Sequence, residues 1–358
     1  MKGVVVLYNS SDRLVKGEAR DLLADRGVIA CAEAVGQALD AAGYSVALVP
    51  MHHDVESTLE PYPPSQWDVF NLGEGLEGRL FEEARIAWAL EAMGYTFTGS
   101  DGEAIARGIH KARTKMHLSA ARVTTPRWWL LRAPSEVAEL VGEFEFPLIV
   151  KPVAEDASAG IGPDAVVHSI LELEERVEYV VRCYRQAALV EAFIDGREFN
   201  IALWGDPPEV LPLAELDFSA FDDPYARIVS FAAKWEEDSF EYNNTPVVCP
   251  ARVDALLAER IASTAEFAWE ALGCRGYARV DMRVNGDGVP QVVEVNCNPD
   301  LSPDAGFYRA AQTAGYSYAD MVTYILEIAR RQPYVLDRVG LRERWPVYTR
   351  DQWERRGL

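Results

Sequence analysis

Lysine is scarce in this sequence of 358 residues, where only six of the 35 basic residues are lysines. Acidic residues outnumber basic ones, and the net charge is −21 at pH 7. Such a charge repels the phosphates of nucleic acids and argues against them as general partners. An anionic ligand must then be held by local positive groups, so the positions of the few lysines are informative.

Cysteine is also rare. The five cysteines are scattered and no two have CxxC spacing, which argues against a zinc site or a disulfide framework and indicates the reducing cytoplasm as the location. No apolar run approaches the roughly 18 residues of a membrane span, so no membrane association is expected. The first eight residues are predicted to form a strand and not a signal peptide. With 49% hydrophobic and 25% charged residues, the composition is that of a globular protein.

The first hundred residues alternate between strands and helices. Strands are predicted at 4–8, 44–50, 67–72 and 95–98, and helices at 28–42 and 80–93. Strands interleaved with helices predict an α/β fold in which a parallel sheet carries helices on both faces.

The pattern changes after residue 109. Strands are predicted at 128–131, 148–152, 188–193, 199–204, 209–216, 277–284 and 289–295, and helices at 111–120, 135–142, 170–184, 252–272 and 318–330. The stretch 217–250 has little periodicity, which predicts a lid or a disordered loop. We place domain boundaries at 1–105, 106–195 and 196–330, with an Arg-rich tail at 331–358. The tail docks either on the body or on a partner subunit, and the sequence leaves this open.

Four polar side chains lie on two neighbouring predicted strands near the C-terminus. Arg279 and Asp281 are two residues apart and point to one face, and so do Glu294 and Asn296 on the next strand. The turn signal at 285–288 predicts a hairpin that brings the four together. Three oxygen ligands beside one arginine suit Mg²⁺, with Mn²⁺ as the alternative metal. A solvated hairpin with ordinary charges is the other interpretation.

A lysine and a loop of small residues follow the predicted strand at 148–150. Residues 151–162 read KPVAEDASAGIG. Small residues let backbone N–H groups approach phosphate oxygens, and Lys151 adds a positive charge. The loop is not a Walker P-loop because its lysine precedes the glycines. A phosphate loop and a plain surface turn are both open at this point.

Two acidic residues, Glu191 and Glu198, flank a turn signal at Asp195-Gly196. Carboxylates there could accept hydrogen bonds from an adenine amino group and from ribose hydroxyls. A surface hairpin with acidic residues for solubility is the alternative.

Taken together, these motifs resemble the ATP-grasp superfamily and, within it, the D-alanine–D-alanine ligase family. The resemblance runs from about Trp67 to Arg330, with the motifs in the family's order and near its spacing. It implies an N-terminal Rossmann-like parallel α/β domain followed by a two-lobed ATP-grasp fold. It also implies an ATP- and magnesium-dependent ligase that acts on amino acids or peptides, and a homodimer.

The resemblance assigns roles to individual residues. Nucleotide-binding roles fall on Lys115, Lys151, Ser158, Glu191, Phe193, Ile194, Glu198 and Lys234. Within this set Glu191 would lie at the adenine hinge, Glu198 would hold the ribose, and Lys115 and Lys151 would contact the phosphates or the adenine pocket.

The remaining roles are metal binding and catalysis. Asp281, Glu294 and Asn296 would bind Mg²⁺, Lys234 and Lys151 would act on the phosphates during transfer, and Arg279 would stabilise the oxyanion of the tetrahedral intermediate. A carboxylate is a poor electrophile, so the enzyme would first convert it to an acyl phosphate, and the amine would then attack. The 217–250 lid would exclude water from the acyl phosphate.

The departures from the family cluster where the amino acids would bind. Ala157 stands where the family has the first of two serines, and Trp235 replaces a tyrosine that follows the lid lysine. Both family hydroxyls belong to a bonded cluster that closes the lid, and that cluster cannot form here. Glu74 replaces a histidine, and Asp300 and Ala305 replace a glycine and a carboxylate-binding serine.

These changes remove hydroxyl donors and add carboxylates, which favours a substrate with an ammonium or guanidinium group. We therefore assign Glu74, Trp235, Arg279 and Asp300 to the substrate site and predict that D-alanyl-D-alanine is not the product. The alternative is that Glu74 and Asp300 pair with nearby arginines.

Four functions are weighed. The leading one is an amino-acid or peptide ligase with substrates other than two D-alanines. The others are a true D-alanine–D-alanine ligase, an ATP-grasp ligase that uses a non-amino-acid amine, and a non-catalytic nucleotide-binding regulator. The presence of Lys151, Arg279, Asp281, Glu294 and Asn296 argues against the regulator, because an inactive site would be expected to lose some of them.

Overall fold

Three β-sheets organise the computed structural model of the protein, which describes residues 2–9, 17–18, 22–52, 54–74 and 81–332. From residue 333 onward the Arg-rich tail lies outside the described residues, and so does Gly75. In the described parts of the chain, no helix is both long enough and apolar enough to span a membrane.

The first sheet is parallel, as predicted for the first hundred residues. Its elements are β1 (Gly3–Asn9), α1 (Leu22–Ala41), β2 (Val46–Met51), α2 (Val55–Leu59), β3 (Trp67–Leu72) and α3 (Glu82–Met93), and the strand order is β2-β1-β3. β1 is apolar at successive positions because both of its faces are covered: Val5 and Leu7 pack in one core cluster, and Val4 and Val6 in another. The helices lie on the two faces, α1 over Val4 and Val6 and α3 over Val5 and Leu7.

The second sheet is antiparallel, with the order β4-β7-β5-β6. The elements of this region are α4 (Gly102–Gly108), α5 (Lys111–Ala120), β4 (Trp128–Leu131), β5 (Leu148–Pro152), β6 (Val166–Val167), α6 (Ile170–Tyr184) and β7 (Ala188–Ala192). The α-helix predicted at 135–142 is instead a 3₁₀ helix, Pro134–Glu143. Val137 and Leu140 both pack against the core under this sheet, and the three-residue repeat of a 3₁₀ helix puts them on one side.

The third sheet has the strand order β11-β10-β8-β12-β13, with β9 paired to β8. Its strands and the helices around them are β8 (Arg197–Gly205), β9 (Pro208–Val210), β10 (Ala214–Leu216), α7 (Phe231–Trp235), α8 (Phe240–Asn243), β11 (Val247–Val248), α9 (Ala255–Leu272), β12 (Tyr277–Val284), β13 (Pro290–Asn296), α10 (Gly306–Thr313) and α11 (Tyr318–Arg331).

The 217–250 stretch is more ordered than its sequence predicts. It contains α7, α8 and β11, and the two helices begin where Ser230 and Ser239 accept backbone N–H groups. Helices of five and four residues are too short to show a hydrophobic repeat, which explains why the periodicity did not reveal them.

Candidate active site

A cleft of about 740 Å³ lies between the second and third sheets. β5 and β7 line one wall, β8, β12 and β13 line the other, and the 217–250 lid and residues of the first domain close its ends. The predicted site residues that line it are Glu74, Lys151, Ser158, Glu191, Phe193, Ile194, Glu198, Lys234, Trp235, Arg279, Asp281, Glu294, Asn296 and Asp300. Lys115 is the one predicted site residue outside this lining.

The hairpin of β12 and β13 brings the predicted metal ligands together. Asp281 lies directly opposite Glu294, and Arg279 lies opposite Asn296. Side chains at directly opposed positions of an antiparallel pair project from the same face, so the two carboxylates and the amide form one group. All four side chains line the cleft.

Each oxygen ligand already has a partner in the protein. Arg279 donates from Nε and Nη2 to the two carboxylate oxygens of Asp281, at 2.7 and 2.8 Å. The Nδ2 of Asn200 donates to the same carboxylate at 2.8 Å. The Oδ1 of Asn296 accepts the backbone N–H of Asn298 at 2.8 Å.

This donor set fits Mg²⁺. In the described part of the chain no three His, Cys, Asp or Glu side chains are grouped to hold a metal by themselves. Mg²⁺ rarely uses such a protein cage, because it binds one or two carboxylates and completes its shell with water and substrate phosphates. Two carboxylates and one amide oxygen that face a cleft match that preference.

Lys111 is a site residue that the sequence reasoning missed. Its Nζ lies 2.7 Å from Oε1 of Glu294 and 3.6 Å from Oδ1 of Asp156. Burial favours a high pKa for Glu294, but the ammonium of Lys111 outweighs it and holds this pKa well below its usual range. The scarcity of lysine is the signal in the sequence that points to it, since Lys111 and Lys115 are two of only six lysines and open and close the same 111–115 segment.

Lys115 lies behind the cleft wall in a buried charge network. Its Nζ is 2.5 Å from Oε1 of Glu191, and the Nζ of Lys151 is 2.8 Å from Oε2 of the same carboxylate. The side chains of Lys115 and Glu191 are 0% and 1% exposed. Burial acts to raise the pKa of Glu191, and the two ammonium groups reverse this and lower it. Both oxygens of Glu191 therefore neutralise lysines.

Removing the negative charge of this network should destabilise the fold. In the Glu191→Gln variant two buried ammonium groups lose their counter-ion, so we expect the free energy of unfolding to fall by about 3–5 kcal/mol in urea denaturation. Glu143→Gln is the matched control, because Glu143 pairs with Arg127 where both side chains are 55% exposed. That change should cost less than about 1 kcal/mol. Equal losses in the two variants would contradict a structural role for the buried network.

Glu198 and Arg283 form a pair at the predicted ribose position. The Nε of Arg283 is 3.2 Å from Oε2 of Glu198, and its guanidinium lies 5.1 Å from the ring centre of Phe193. Burial raises the pKa of Glu198, although the charge of Arg283 opposes the shift. Glu198, Phe193 and Ile194 line the same part of the cleft.

The lid and the 151–162 loop are joined by three hydrogen bonds. The indole Nε1 of Trp235 donates to the carbonyl of Ala157 at 3.0 Å, and the hydroxyl of Ser158 donates to the carbonyl of Val229 at 2.8 Å. The backbone N–H of Phe231 donates to the carbonyl of Ile161 at 2.8 Å. The family's hydroxyl cluster is absent by sequence, and these bonds connect the lid to the loop in its place.

Lys234 of the lid faces the metal-ligand group. Burial, followed by the nearby charge of Arg279, lowers its pKa. Opposite the lid, Ala157 and Ser158 have left-handed backbones, with φ of 55° and 60°. Side-chain-bearing residues adopt this conformation at a cost of about 1–2 kcal/mol each, so the surrounding contacts must hold the loop in shape.

At the other end of the cleft, Asp300 makes no ion pair with any arginine in the described residues. Its Oδ1 accepts the backbone N–H and the hydroxyl of Ser302, at 2.8 and 2.6 Å. The backbone N–H of Glu74 donates to Oδ1 of Asn9 at 2.8 Å. Ala305, where the family has a serine, is the N-cap of α10 and makes no side-chain hydrogen bond there.

Comparisons with known proteins agree on one family. The model of the D-ala D-ala ligase C-terminus matches residues 118–327. The uncharacterized protein y4sG of Sinorhizobium fredii is 32% identical and covers 84% of this chain and 88% of its own length. A D-alanine–D-alanine ligase of Desulforudis audaxviator is 31% identical over 84% of this chain and 92% of its own.

Solved structures give the same fold. The D-alanine–D-alanine ligase from Bacillus anthracis complexed with ATP superposes with a TM-score of 0.70 at 21% identity, covering 92% of this chain and 98% of that one. This likeness confirms the parallel α/β domain followed by the two-lobed fold that the sequence resemblance implied.

Proposed function

The chain belongs to the D-alanine–D-alanine ligase family of ATP-grasp enzymes, and from this premise we propose that it joins the carboxylate of one amino acid or peptide to the amine of another through an acyl phosphate. The observation that carries the proposal is the direct pairing of Asp281 with Glu294, and of Arg279 with Asn296, on one face inside the cleft.

In this proposal the basic residues of the cleft bind the ATP phosphates. Lys151 of β5 and Lys234 of the lid line the cleft, and Lys111 of α5 contacts Glu294 there, so the phosphates lie among these three cations. Asp281, Glu294 and Asn296 would hold Mg²⁺, which would supply positive charge to neutralise the phosphates. Arg279 and Lys111 would share Asp281 and Glu294 with the metal and keep their present contacts with these carboxylates.

Glu198, Phe193 and Ile194 contact the nucleoside in this arrangement. Glu198 accepts hydrogen bonds from the ribose, and Arg283 holds its carboxylate in place. Glu191 lies at the proposed adenine end of the cleft and also pairs with Lys151, so that it helps to hold the Lys151 ammonium at the cleft wall.

Arg279 acts in the second half of the proposed reaction. When the amine attacks the acyl phosphate, negative charge grows on the former carboxyl oxygen, and a preorganised guanidinium stabilises it. The bidentate contact with Asp281 fixes the orientation of that guanidinium. The lid meanwhile keeps water from the acyl phosphate.

The substrates are proposed to differ from two D-alanines. Ala305 and Ala157 offer no hydroxyl to a substrate carboxylate, and Glu74 and Asp300 add negative charge to the substrate end. A true D-alanine–D-alanine ligase is the second candidate, supported by the relatives that carry that name.

The test is ADP release with a panel of D- and L-amino acids, taken singly and in pairs, with products identified by mass. We expect an amide-linked product from at least one pair and little D-alanyl-D-alanine. D-Alanyl-D-alanine formed as the main product would favour the second candidate. ADP release without any ligated product, or no ADP release at all, would contradict ligase function.

The bond from Trp235 to Ala157 offers a test of the lid. Trp235→Phe keeps an aromatic ring and removes the indole N–H, a change worth about 0.5–1.5 kcal/mol. The lid should open more often, so water should hydrolyse more of the acyl phosphate, and the ratio of ADP to ligated product should rise about two- to tenfold. Trp129→Phe, which changes a tryptophan that does not line the cleft, should leave the ratio unchanged. An unchanged ratio in Trp235→Phe would contradict the lid role.

A further inference from the structure

One buried carboxylate in the cleft has no counter-ion among the described residues. Glu83 lies in the first turn of α3, is 8% exposed, and lines the cleft together with Glu74 and Asp300. Its neighbour Glu82 pairs with Arg85 at 2.5 Å, but no basic residue of the described chain pairs with Glu83. A buried charge without a partner is costly, so this position requires an explanation.

The protein does supply one neutral partner. The side-chain amide of Asn298 lies near the Glu83 carboxyl and acts to lower its pKa. That amide also donates to the carbonyl of Gly73 at 3.3 Å, and its oxygen accepts the hydroxyl of Tyr277 at 2.9 Å. Asn298 is a neutral partner, so it does not balance the charge of an ionised Glu83. A cationic group beside Glu83 would favour the ionised carboxylate, which a glutamine could not provide.

Other carboxylates surround the same point. Burial, and then the charges of Asp156 and Glu74, raise the pKa of Glu83 well above its usual range. Burial and the neighbouring Cys31, Glu83, Glu74 and Asp300 likewise raise the pKa of the Tyr277 hydroxyl. Glu74, Glu83 and Asp300 line the same cleft, and a cation bound among them would relieve the mutual repulsion of their carboxylates.

The wall beside this acidic region is apolar. Val28 and Cys31 of α1, Leu72 at the end of β3 and Leu301 after the β13 strand all line the cleft and are buried. A methylene chain packs well on such a wall while its charged end reaches a carboxylate. The pattern suits a long side chain with a terminal ammonium or guanidinium group.

We infer that Glu83, with Glu74 and Asp300, binds the charged end of a basic side chain, so that one substrate is a lysine- or arginine-like amino acid, free or within a peptide. The inference rests on the proposed ligase function and names the substrate class for it. Glu83 selects the substrate and takes no part in phosphoryl transfer.

The test compares basic amino acids with neutral isosteres as substrates for ADP release. Lysine is compared with norleucine and arginine with citrulline, in both D and L forms, each with the panel of second amino acids. For at least one pair we expect kcat/KM of the basic member to exceed that of its isostere at least about tenfold, because only the basic member can form an ion pair with the Glu83 carboxylate.

Two variants test whether Glu83 causes the preference for the basic substrate. In Glu83→Gln the ratio of kcat/KM for the basic amino acid to kcat/KM for its neutral isostere should fall to within about threefold of one. The value of kcat/KM for the neutral isostere itself should be retained. Glu82→Gln is the matched control in the same helical turn, and it should keep the wild-type ratio because Glu82 does not line the cleft. If Glu83→Gln does not fold, the ratio of kcat/KM for basic and neutral substrates in the wild type tests the inference by itself.

The failures are distinguishable. Equal turnover of basic and neutral members by the wild type, or a preference that survives Glu83→Gln, overturns the inference and leaves the ligase proposal intact. Absence of ADP release with every amino acid overturns the ligase proposal and the inference together.

Discussion

Replacement of Lys234 by methionine is expected to lower kcat for ADP release about 10³-fold, since a lid cation that stabilises charge on a transferred phosphoryl group is worth about that much or more. Methionine keeps most of the volume and removes the charge. Burial and the nearby charge of Arg279 lower the pKa of Lys234. A phosphate that binds beside it would therefore strongly stabilise its ammonium form. KM for ATP should rise less than kcat falls, because the contact is strongest in the transition state.

Lys2→Met is the control for this change. Lys2 is a half-exposed lysine just before β1, the central strand of the first sheet, and it pairs with Asp68 at 3.3 Å. Its loss should leave kcat unchanged. A kcat for Lys234→Met within about threefold of the wild type would remove Lys234 from the phosphoryl-transfer step.

Replacement of Arg279 by lysine is expected to lower kcat for product formation by about 10²–10³-fold. Lysine keeps the charge but cannot make the two parallel bonds that Arg279 makes to Asp281, so the cation loses its fixed direction. The effect should fall on the amide-forming half of the reaction. The ratio of ADP to ligated product should therefore rise, as acyl phosphate that is not captured by amine is hydrolysed.

Arg331→Lys is the matched control, because Arg331 is a surface residue with 66% side-chain exposure that pairs with Glu327 of the same helix. It should show wild-type kcat and an unchanged product ratio. If Arg279→Lys lowered ADP release and product formation equally, with their ratio unchanged, the oxyanion role of Arg279 would be contradicted.

The sequence predicted the pairing of β12 with β13 because strand geometry is short-ranged. Residues two apart on a strand share a face, and a hairpin of about eight residues per strand leaves few ways to pair. Asp281 and Glu294 are therefore opposite one another as expected, and the turn between their strands lies where the Asn-Gly signal placed it. The parallel order of the first sheet followed in the same way from the alternation of strands and helices.

Which buried partner a side chain meets was harder to predict than which helix or strand carries it. Lys111 and Lys115 are four residues apart and lie on one side of α5, and both belong to the same short motif. Lys111 meets Glu294, while Lys115 is one helical turn farther along, where it meets Glu191 behind the wall. One turn of helix separates the lysine that meets the predicted metal ligand Glu294 from the lysine that meets Glu191, and the spacing alone does not tell which is which.

Contacts between distant segments were not predictable at all. Glu83 and Asn298 are far apart in sequence. They become neighbours only in the folded chain, where α3 and the segment after β13 line the same cleft. The lid bonds are similar. The missing hydroxyls at Ala157 and Trp235 predicted that the family's cluster could not form, but not that an indole N–H and a backbone carbonyl would bridge the same two segments.

Transfer of oxygen-18 from a labelled amino-acid carboxylate to inorganic phosphate tests the central claim most directly. The amino acid that gives the fastest ADP release is labelled in its carboxylate, and the phosphate formed with the ligated product is analysed by mass. When a carboxylate is activated as an acyl phosphate, one of its oxygens bridges carbon and phosphorus, and this oxygen leaves with the phosphate when the amine attacks. Each released phosphate should therefore carry one oxygen-18. Unlabelled phosphate released together with ligated product would contradict the acyl phosphate and, with it, the proposed reaction.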